Sequence, residues 1–513
     1  MRFFLLFFLV GSFANAQLIN NVQLEVVGKP SWQQTISLGD KGVLLFVKTD
    51  ITRARIYKFD ENLKQQWATD VFLDVERKST SYFIDKEKIT FLFRETQGLY
   101  YQVFVFDLNS GQSYNKGFEL RDYFLDQDFV MVDKKIYLAG SNQEGAAFYI
   151  YDFETEKGSL VSGKILGKVN NQGIKYIEEE KKIRAFWAVK TVGYANERKK
   201  KGEFTKDAFL VASVYDLNLD TLKTTRITQS KGRFPITVKV GEKDNGEFVL
   251  SGVYQSNTGD KGLYISFLDK NLNKKGEGSY NSFTKLLEGT PQFKADDIKK
   301  IMSQFSFLVH TPIVHHESII SGGVFFKPEY SNISSSYNNP AYNNQNSFGV
   351  GGLFGRNNRS QSRSVFAGYN YLSGVMLITS QTGDLVEKHR IDINLLNTQL
   401  GSTISFNQNG SVGYCAQGNL ATQNFNIGTK PILYKLTEEK ITDKTKLYLP
   451  SYDYVNYWYG DYFLAEGSKN KVEAISLKPI ENDKPKRRKP KKSNNTYTQI
   501  RRTIYLTKVA SGS

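Results

Sequence analysis

The chain repeats one short punctuation: a charged or Asn-Gly turn, an apolar run, then a second apolar run that closes on an acidic turn. Turn clusters fall at Asp40-Lys41-Gly42, Asp85-Lys86-Glu87-Lys88, Asp133-Lys134-Lys135, Glu180-Lys181-Lys182, Asp244-Asn245-Gly246, His316-Glu317-Ser318, Asn409-Gly410 and Gly460-Asp461. Each leads into a strand-like run such as Val43-Leu44-Leu45-Phe46-Val47. A second series follows in phase. Phe59-Asp60, Phe106-Asp107, Tyr151-Asp152, Tyr215-Asp216 and Leu268-Asp269 each close an alternating strand, with Ser380 to Asp384 and Thr437 to Lys440 as weaker copies.

Two turns in phase define a repeated supersecondary unit. A small antiparallel sheet cannot bury both faces alone, so units of roughly 40 to 50 residues with four short strands predict propeller blades stacked face to face. The first turns at 40, 86, 134 and 181 are spaced 46, 48 and 47 residues apart, which marks uninterrupted blades. The expectation is an all-β fold, a β-propeller of about eight four-stranded antiparallel blades, with seven as the other count. Later units stretch around insertions at 195–206, 290–305, 328–363 and 481–496. Aromatic content of 14% within 40% hydrophobic residues supplies a large core, and the recurrent Tyr, Phe, Val and Ile favour strands. One domain over 17–513 therefore accounts for the chain. Val22 to Val27 and Ile504 to Val509 are both candidates to complete the last blade.

Residues 1–16 read as a signal peptide. Met1-Arg2 gives the positive start, Phe3 to Val10 the apolar stretch and Ala14-Asn15-Ala16 the small-residue cleavage site. The expected location is the periplasm or the outer membrane, on either face. No later apolar run reaches the roughly 18 to 20 residues of a transmembrane helix, which leaves peripheral outer-membrane association as the membrane option. Cys415 is the only cysteine, so an intramolecular disulfide and a cysteine-built metal site are excluded. Between Tyr414 and Ala416 it reads as a small buried strand residue.

The formal charge is +16, about +15 without Arg2. Lys484, Lys486, Arg487, Arg488, Lys489, Lys491 and Lys492 are interleaved with Pro485 and Pro490, which disfavour helix and strand alike. Arg198-Lys199-Lys200-Lys201 makes a smaller basic run. Export argues against nucleic acid and leaves an anionic envelope component or an acidic protein face as partner; the plain alternative is a solvated loop. The stretch from Pro328 to Arg363 is rich in Asn, Ser and Gly and has too little to bury to offset the entropy of ordering it. Tyr337, Tyr342, Phe348 and Phe354 are spaced through it as in a segment that orders on a partner. Thr290 before Pro291 predicts a helix cap, with Phe293, Ile298, Ile301, Met302 and Phe305 near one face packed on the rim.

Chemical motifs are missing. The sequence has no G-x-S-x-G elbow, no phosphate-binding G-x-x-x-x-G-K-[ST] loop, no H-E-x-x-H pair and no sialidase-type S-x-D-x-G-x-x-W box. Of the four histidines, His315 and His316 are adjacent and point to opposite faces of a strand, so they do not readily share a metal; His310 and His389 stand alone. Asp60, Asp107, Asp152, Asp216 and Asp269 recur once per unit, as a turn requires. No catalytic, cofactor or metal residue is assigned.

Units such as Ile56-Tyr57-Lys58-Phe59-Asp60-Glu61-Asn62-Leu63-Lys64-Gln65-Gln66-Trp67 resemble the propellers of exported Bacteroidota proteins, most strongly over the first five blades. The chain departs from WD40 repeats in lacking Gly-His and Trp-Asp signatures, and from quinoprotein dehydrogenases in lacking an adjacent-cysteine pair. The resemblance is architectural and carries no active site over. It implies a non-enzymatic binding or scaffold protein of the cell envelope. The competing expectation is a glycoside hydrolase with paired carboxylates at the ring centre, or a carbohydrate-binding protein using Trp187, Trp458 and Tyr459, with Trp67 assigned to a blade core.

Overall fold

The computed structural model describes residues 18–27, 32–50, 52–74, 79–95, 99–120, 124–190, 208–227, 232–256, 258–288, 298, 304–315, 318–334, 362–397, 400–424, 431–434, 451–476 and 496–511. They form eight antiparallel blades arranged as a propeller ring. Blade 1 runs from Trp32 to Phe72, blade 2 from Ser79 to Glu119, blade 3 from Leu125 to Leu166 and blade 4 from Lys168 to Ile227. Blade 5 spans Arg233–Ser282, blade 6 Ser306–Asn397 and blade 7 Ile404–Tyr434. Blade 8 takes Ser451–Tyr459, Tyr462–Ser476 and Thr496–Ala510 from the C-terminal end, and its outermost strand, Leu18–Val27, from the N-terminal end. Both candidate strands thus complete the last blade, side by side, and Leu24 pairs with Ile504.

The first strands of neighbouring blades contact one another, which places them at the centre of the ring. Between blades lie the apolar cores. Trp32, Phe46, Phe91, Phe93 and Phe106 interlock edge to face between blades 1 and 2. Trp187 packs against Phe148 and its neighbours between blades 3 and 4. Such ring pairs add to the stabilisation given by area burial.

The recurrent acidic turns join the third and fourth strands. Asp60 Oδ1 accepts the backbone amides of Asn62 and Lys64, Asp216 Oδ1 those of Asn218 and Asp220, and Asp269 Oδ1 those of Asn271 and Asn273. Ser380 Oγ does the same for Thr382 and Asp384 in blade 6. Backbone donors, chiefly Ser110 to Asp107, Glu154 to Asp152 and Asn273 to Asp269, hold those three carboxyls below the ordinary range. The expected copy at Thr437 to Lys440 lies outside the described residues.

Two strand features depart from expectation. The stretch opening at Pro328 is not loop at its ends: the second and third strands of blade 6, Ser318–Ser334 and Ser362–Ser380, run on past their neighbours as a two-stranded arm. Pro328 is tolerated because the strand has become an edge there, beyond the Ser306 to Phe326 pair. A second arm, Tyr462–Ser476 with Thr496–Ala510, extends from blade 8. Of the helix expected over 290–305, the helical Ile298 is buried at 2% exposure beside Phe283, Leu286 and Leu287 of the short helix Phe283–Leu287, and most of the remainder lies outside the described residues.

Candidate functional site

An antiparallel four-stranded meander sends its connections alternately to two sides. Connections from strand one to two and from three to four emerge on one face of the ring; those from two to three, and from blade to blade, emerge on the other. The first is a turn face, whose longest connection is the seven residues 425–431. Every longer connection starts and ends on the opposite face: 191–207, 335–361, 435–450, 477–495 and the segment that opens with the helix Phe283–Leu287. Both arms point to this insertion face, since Ser334, Ser362, Ser476 and Thr496 are the strand ends there.

The described part of the blade 6 arm carries a row of aromatic rings. Buried Tyr371 meets Phe326 at 6.2 Å, Phe326 meets Tyr369 at 6.0 Å, and Tyr369 meets Phe366 at 5.1 Å. Phe366 meets Tyr330 at 5.8 Å; these last two are 44% and 58% exposed. Core packing thus continues outward along the arm and ends in solvent.

The centre of the ring holds a second feature, a cavity of about 390 Å³. The first strands of blades 3, 4 and 5 supply Asp128, Gln172, Lys175, Lys239 and Glu242, and Arg184 and Phe248 stand behind them. Bulges in these strands turn the side chains inward: the register shifts between Asp126 and Asp128 and between Asn171 and Gly173, while in blade 5 the strand breaks between Pro235 and Lys239. A bulge leaves backbone donors without a ladder partner, and glutamines take them. Gln127 Oε1 accepts the Asn171 amide of the next blade, and Gln172 Oε1 accepts the Val238 amide at 3.0 Å.

Within the cavity, Lys175 Nζ pairs with Glu242 at 2.8 Å. Asp128 accepts from Ser81 at 2.9 Å and from the backbone amides of Phe129 and Ile174; burial nevertheless raises its carboxyl. Arg184 lies 4.3 Å over the Phe248 ring. His310, in blade 6 with its ring edge-on to Phe406, is pushed down to about 4 by burial and by Lys239. Among the described residues no group of three His, Cys, Asp or Glu has the arrangement of a metal site.

The residues expected to bind a partner, Lys484, Lys486, Arg487, Arg488, Lys489, Lys491, Lys492, Tyr337, Tyr342, Phe348 and Phe354, lie outside the described residues. The connections that contain them both belong to the insertion face. The aromatic candidates for sugar binding are corrected. Trp187 is fully buried, and Trp458 is buried between blades 8 and 1, donating from Nε1 to the Gly42 carbonyl at 3.0 Å. The Tyr459 hydroxyl is engaged by Lys508 at 2.8 Å. Trp67 is a half-buried bridge, its Nε1 on the Leu108 carbonyl of blade 2 at 3.1 Å. Missed from sequence were Tyr330, Phe366 and the channel set of Arg184 and Lys239, which no motif or period marks. Cys415 is buried, as expected, and no helix among the described residues is long and apolar enough to cross a membrane.

No protein-family model matches the chain, and no curated protein matches it. Solved structures resemble it at low identity. A polysaccharide lyase, Uly1, is 8% identical over 85% of this chain and 91% of its own, with a TM-score of 0.38. The Dos1 propeller is 8% identical over 77% of each chain, TM-score 0.36. Hydrazine synthase of Kuenenia stuttgartiensis is 11% identical over 59% of this chain and 77% of its own, TM-score 0.34. Likeness at this level carries nothing about activity. The chain is an eight-bladed β-propeller with one plain face, one elaborated face and a charged channel.

Proposed function

We propose that this protein is a non-enzymatic binding or scaffold protein of the cell envelope, exported by residues 1–16, which holds a protein partner or an anionic envelope component on its insertion face. One observation carries the reading: every connection longer than seven residues, and both strand arms, belong to a single face. Insertions tolerated for solubility alone have no reason to avoid the other face. The exposed Tyr330 and Phe366 suit the apolar centre of an interface, and the basic run from Lys484 to Lys492 suits an acidic rim.

A glycoside hydrolase requires two carboxylates roughly 5 to 10 Å apart and available to substrate. The two that share the channel cavity are committed elsewhere, Glu242 to Lys175 and Asp128 to three donors. The test is capture from native envelopes followed by mass spectrometry, using the full chain and variants in which 335–361 or 477–495 is replaced by a short Gly-Ser turn. The expected result is loss of a specific partner with the melting transition retained. Retention of every partner by both variants, or hydrolysis of envelope glycan by the purified protein, contradicts the proposal.

A further inference from the structure

The channel cavity is lined by three cations, Lys175, Arg184 and Lys239, against two carboxylates, Asp128 and Glu242. Lys175 is bonded to Glu242, and Asp128 is supplied by Ser81 and two backbone amides. Arg184 and Lys239 remain. Among the described residues neither has a carboxylate within salt-bridge distance, although Glu242 and Glu180 lie in Coulombic range of Arg184 and Asp128 in that of Lys239. The Arg184 guanidinium is stacked on Phe248, and its Nε is buried with no hydrogen-bond partner. Burial has removed its water without supplying an acceptor, a condition that folded proteins seldom leave unmet.

We propose that this cavity binds a small hydroxylated carboxylate, of the size of a single sugar acid, with its carboxylate held by Arg184 and Lys239. A planar guanidinium matches a carboxylate in shape as well as charge. The surplus of one positive charge calls for one negative charge, which favours a carboxylate over a phosphate dianion. Phe186, Phe248 and Val240 give an apolar wall for a ring face, while Thr311 offers a partner for a ring hydroxyl. A volume of about 390 Å³ is at the small end of ligand pockets and admits one such ring.

Position along the strands separates this site from the partner-binding reading. Lys175 and Glu242 stand near the ends of the first strands of blades 4 and 5, just ahead of the turns at 178–181 and 243–247, so the cavity lies toward the turn face. A partner on the insertion face leaves it open, and either reading can fail without the other.

The test is isothermal titration of the full-length protein with D-glucuronate, with D-glucose as the uncharged control and inorganic phosphate as the ion control. Saturable glucuronate binding is expected, with much weaker binding of either control. Lys239→Gln, on an exposed side chain, should weaken glucuronate binding by about tenfold, the usual effect of losing a charge-assisted hydrogen bond, and Arg184→Gln by at least as much. Should Arg184→Gln fold poorly, Lys239→Gln still decides. Absence of saturable glucuronate binding at millimolar concentration, equal binding of glucose or phosphate, or unchanged affinity in Lys239→Gln would each overturn the proposal.

Discussion

At the scale of single residues, the repeat is built on the tetrad Asp60-Glu61-Asn62-Leu63, which returns as Asp216 to Leu219 and Asp269 to Leu272. Its aspartate closes the turn. The next carbonyl accepts a donor from the preceding blade: Lys508 reaches Glu61 O, Trp67 and Lys58 reach Leu108 O, Lys116 reaches Phe153 O and Tyr137 reaches Leu217 O. The leucine is left-handed, with φ of 59°, 65° and 62° at Leu63, Leu219 and Leu272, and its side chain is buried against the preceding blade. That conformation costs a non-glycine residue roughly 1–2 kcal/mol, offset by burying a leucine, worth about 1.5–3 kcal/mol. Truncating Leu272 to alanine keeps the strain and loses the burial, so chemical denaturation should show a loss of about 2–4 kcal/mol. Leu272→Gly should be less damaging than Leu272→Ala, the reverse of the usual order. The aspartates were legible because they repeat; the role of the leucines was not, because nothing local distinguishes a leucine that plugs an interface from one in a strand.

Asp453 in blade 8 gives a pH-dependent prediction at the same scale. Burial pushes its carboxyl up to about 6, with the nearby Glu466 adding to the rise and the Ser468 hydroxyl, donating at 2.6 Å, opposing it. A folded value above the unfolded value of about 3.9 means full stability below about pH 4 and loss as pH rises through 6. Unfolding free energies measured at pH 4 and pH 8 should therefore converge for Asp453→Asn, whereas the natural protein should lose on the order of 3 kcal/mol over that interval from this group. A natural protein equally stable at both, relative to the variant, would refute the assignment.

At the scale of elements, the inner-strand bulges and the arms were hidden for different reasons. A bulge adds one residue without changing composition, so Gln127 and Gln172 look like ordinary solvent-facing positions until the neighbouring blade brings a bare amide to them. Gln172→Ala strands the Val238 amide and should cost about 1–3 kcal/mol, read from thermal or denaturant unfolding. The blade 6 arm was read as an insertion because Asn and Ser dominate 328–363, yet backbone pairing carries strands through Ser334 and from Ser362 whatever the side chains. What was legible there was excess length. Its sidedness was not, since which face a connection occupies depends on counting strands from a blade's inner edge, and that edge is fixed only once the ring closes.

At the scale of the molecule, closure is made by a strand from each end of the chain. Leu18–Val27 is held by Thr496–Ala510, and the seam between blades 8 and 1 is tied by Glu466, which accepts from Gln33 and Thr35. Removing the strand 18–27 exposes an unpaired strand edge and part of the core around Val26 and Ile504, so it should lower the melting temperature and promote aggregation; an unchanged melt would show that the ring does not need this strand. The central claim, that the two faces differ in task, can be tested directly because Cys415 is buried and leaves the surface free of native thiols among the described residues. A photo-crosslinker attached to a cysteine at Leu400, exposed on the insertion face, should capture the proposed partner, whereas one at Asn218, in a third-to-fourth strand turn, should not. Capture from Asn218 alone, or equally from both positions, would contradict the account.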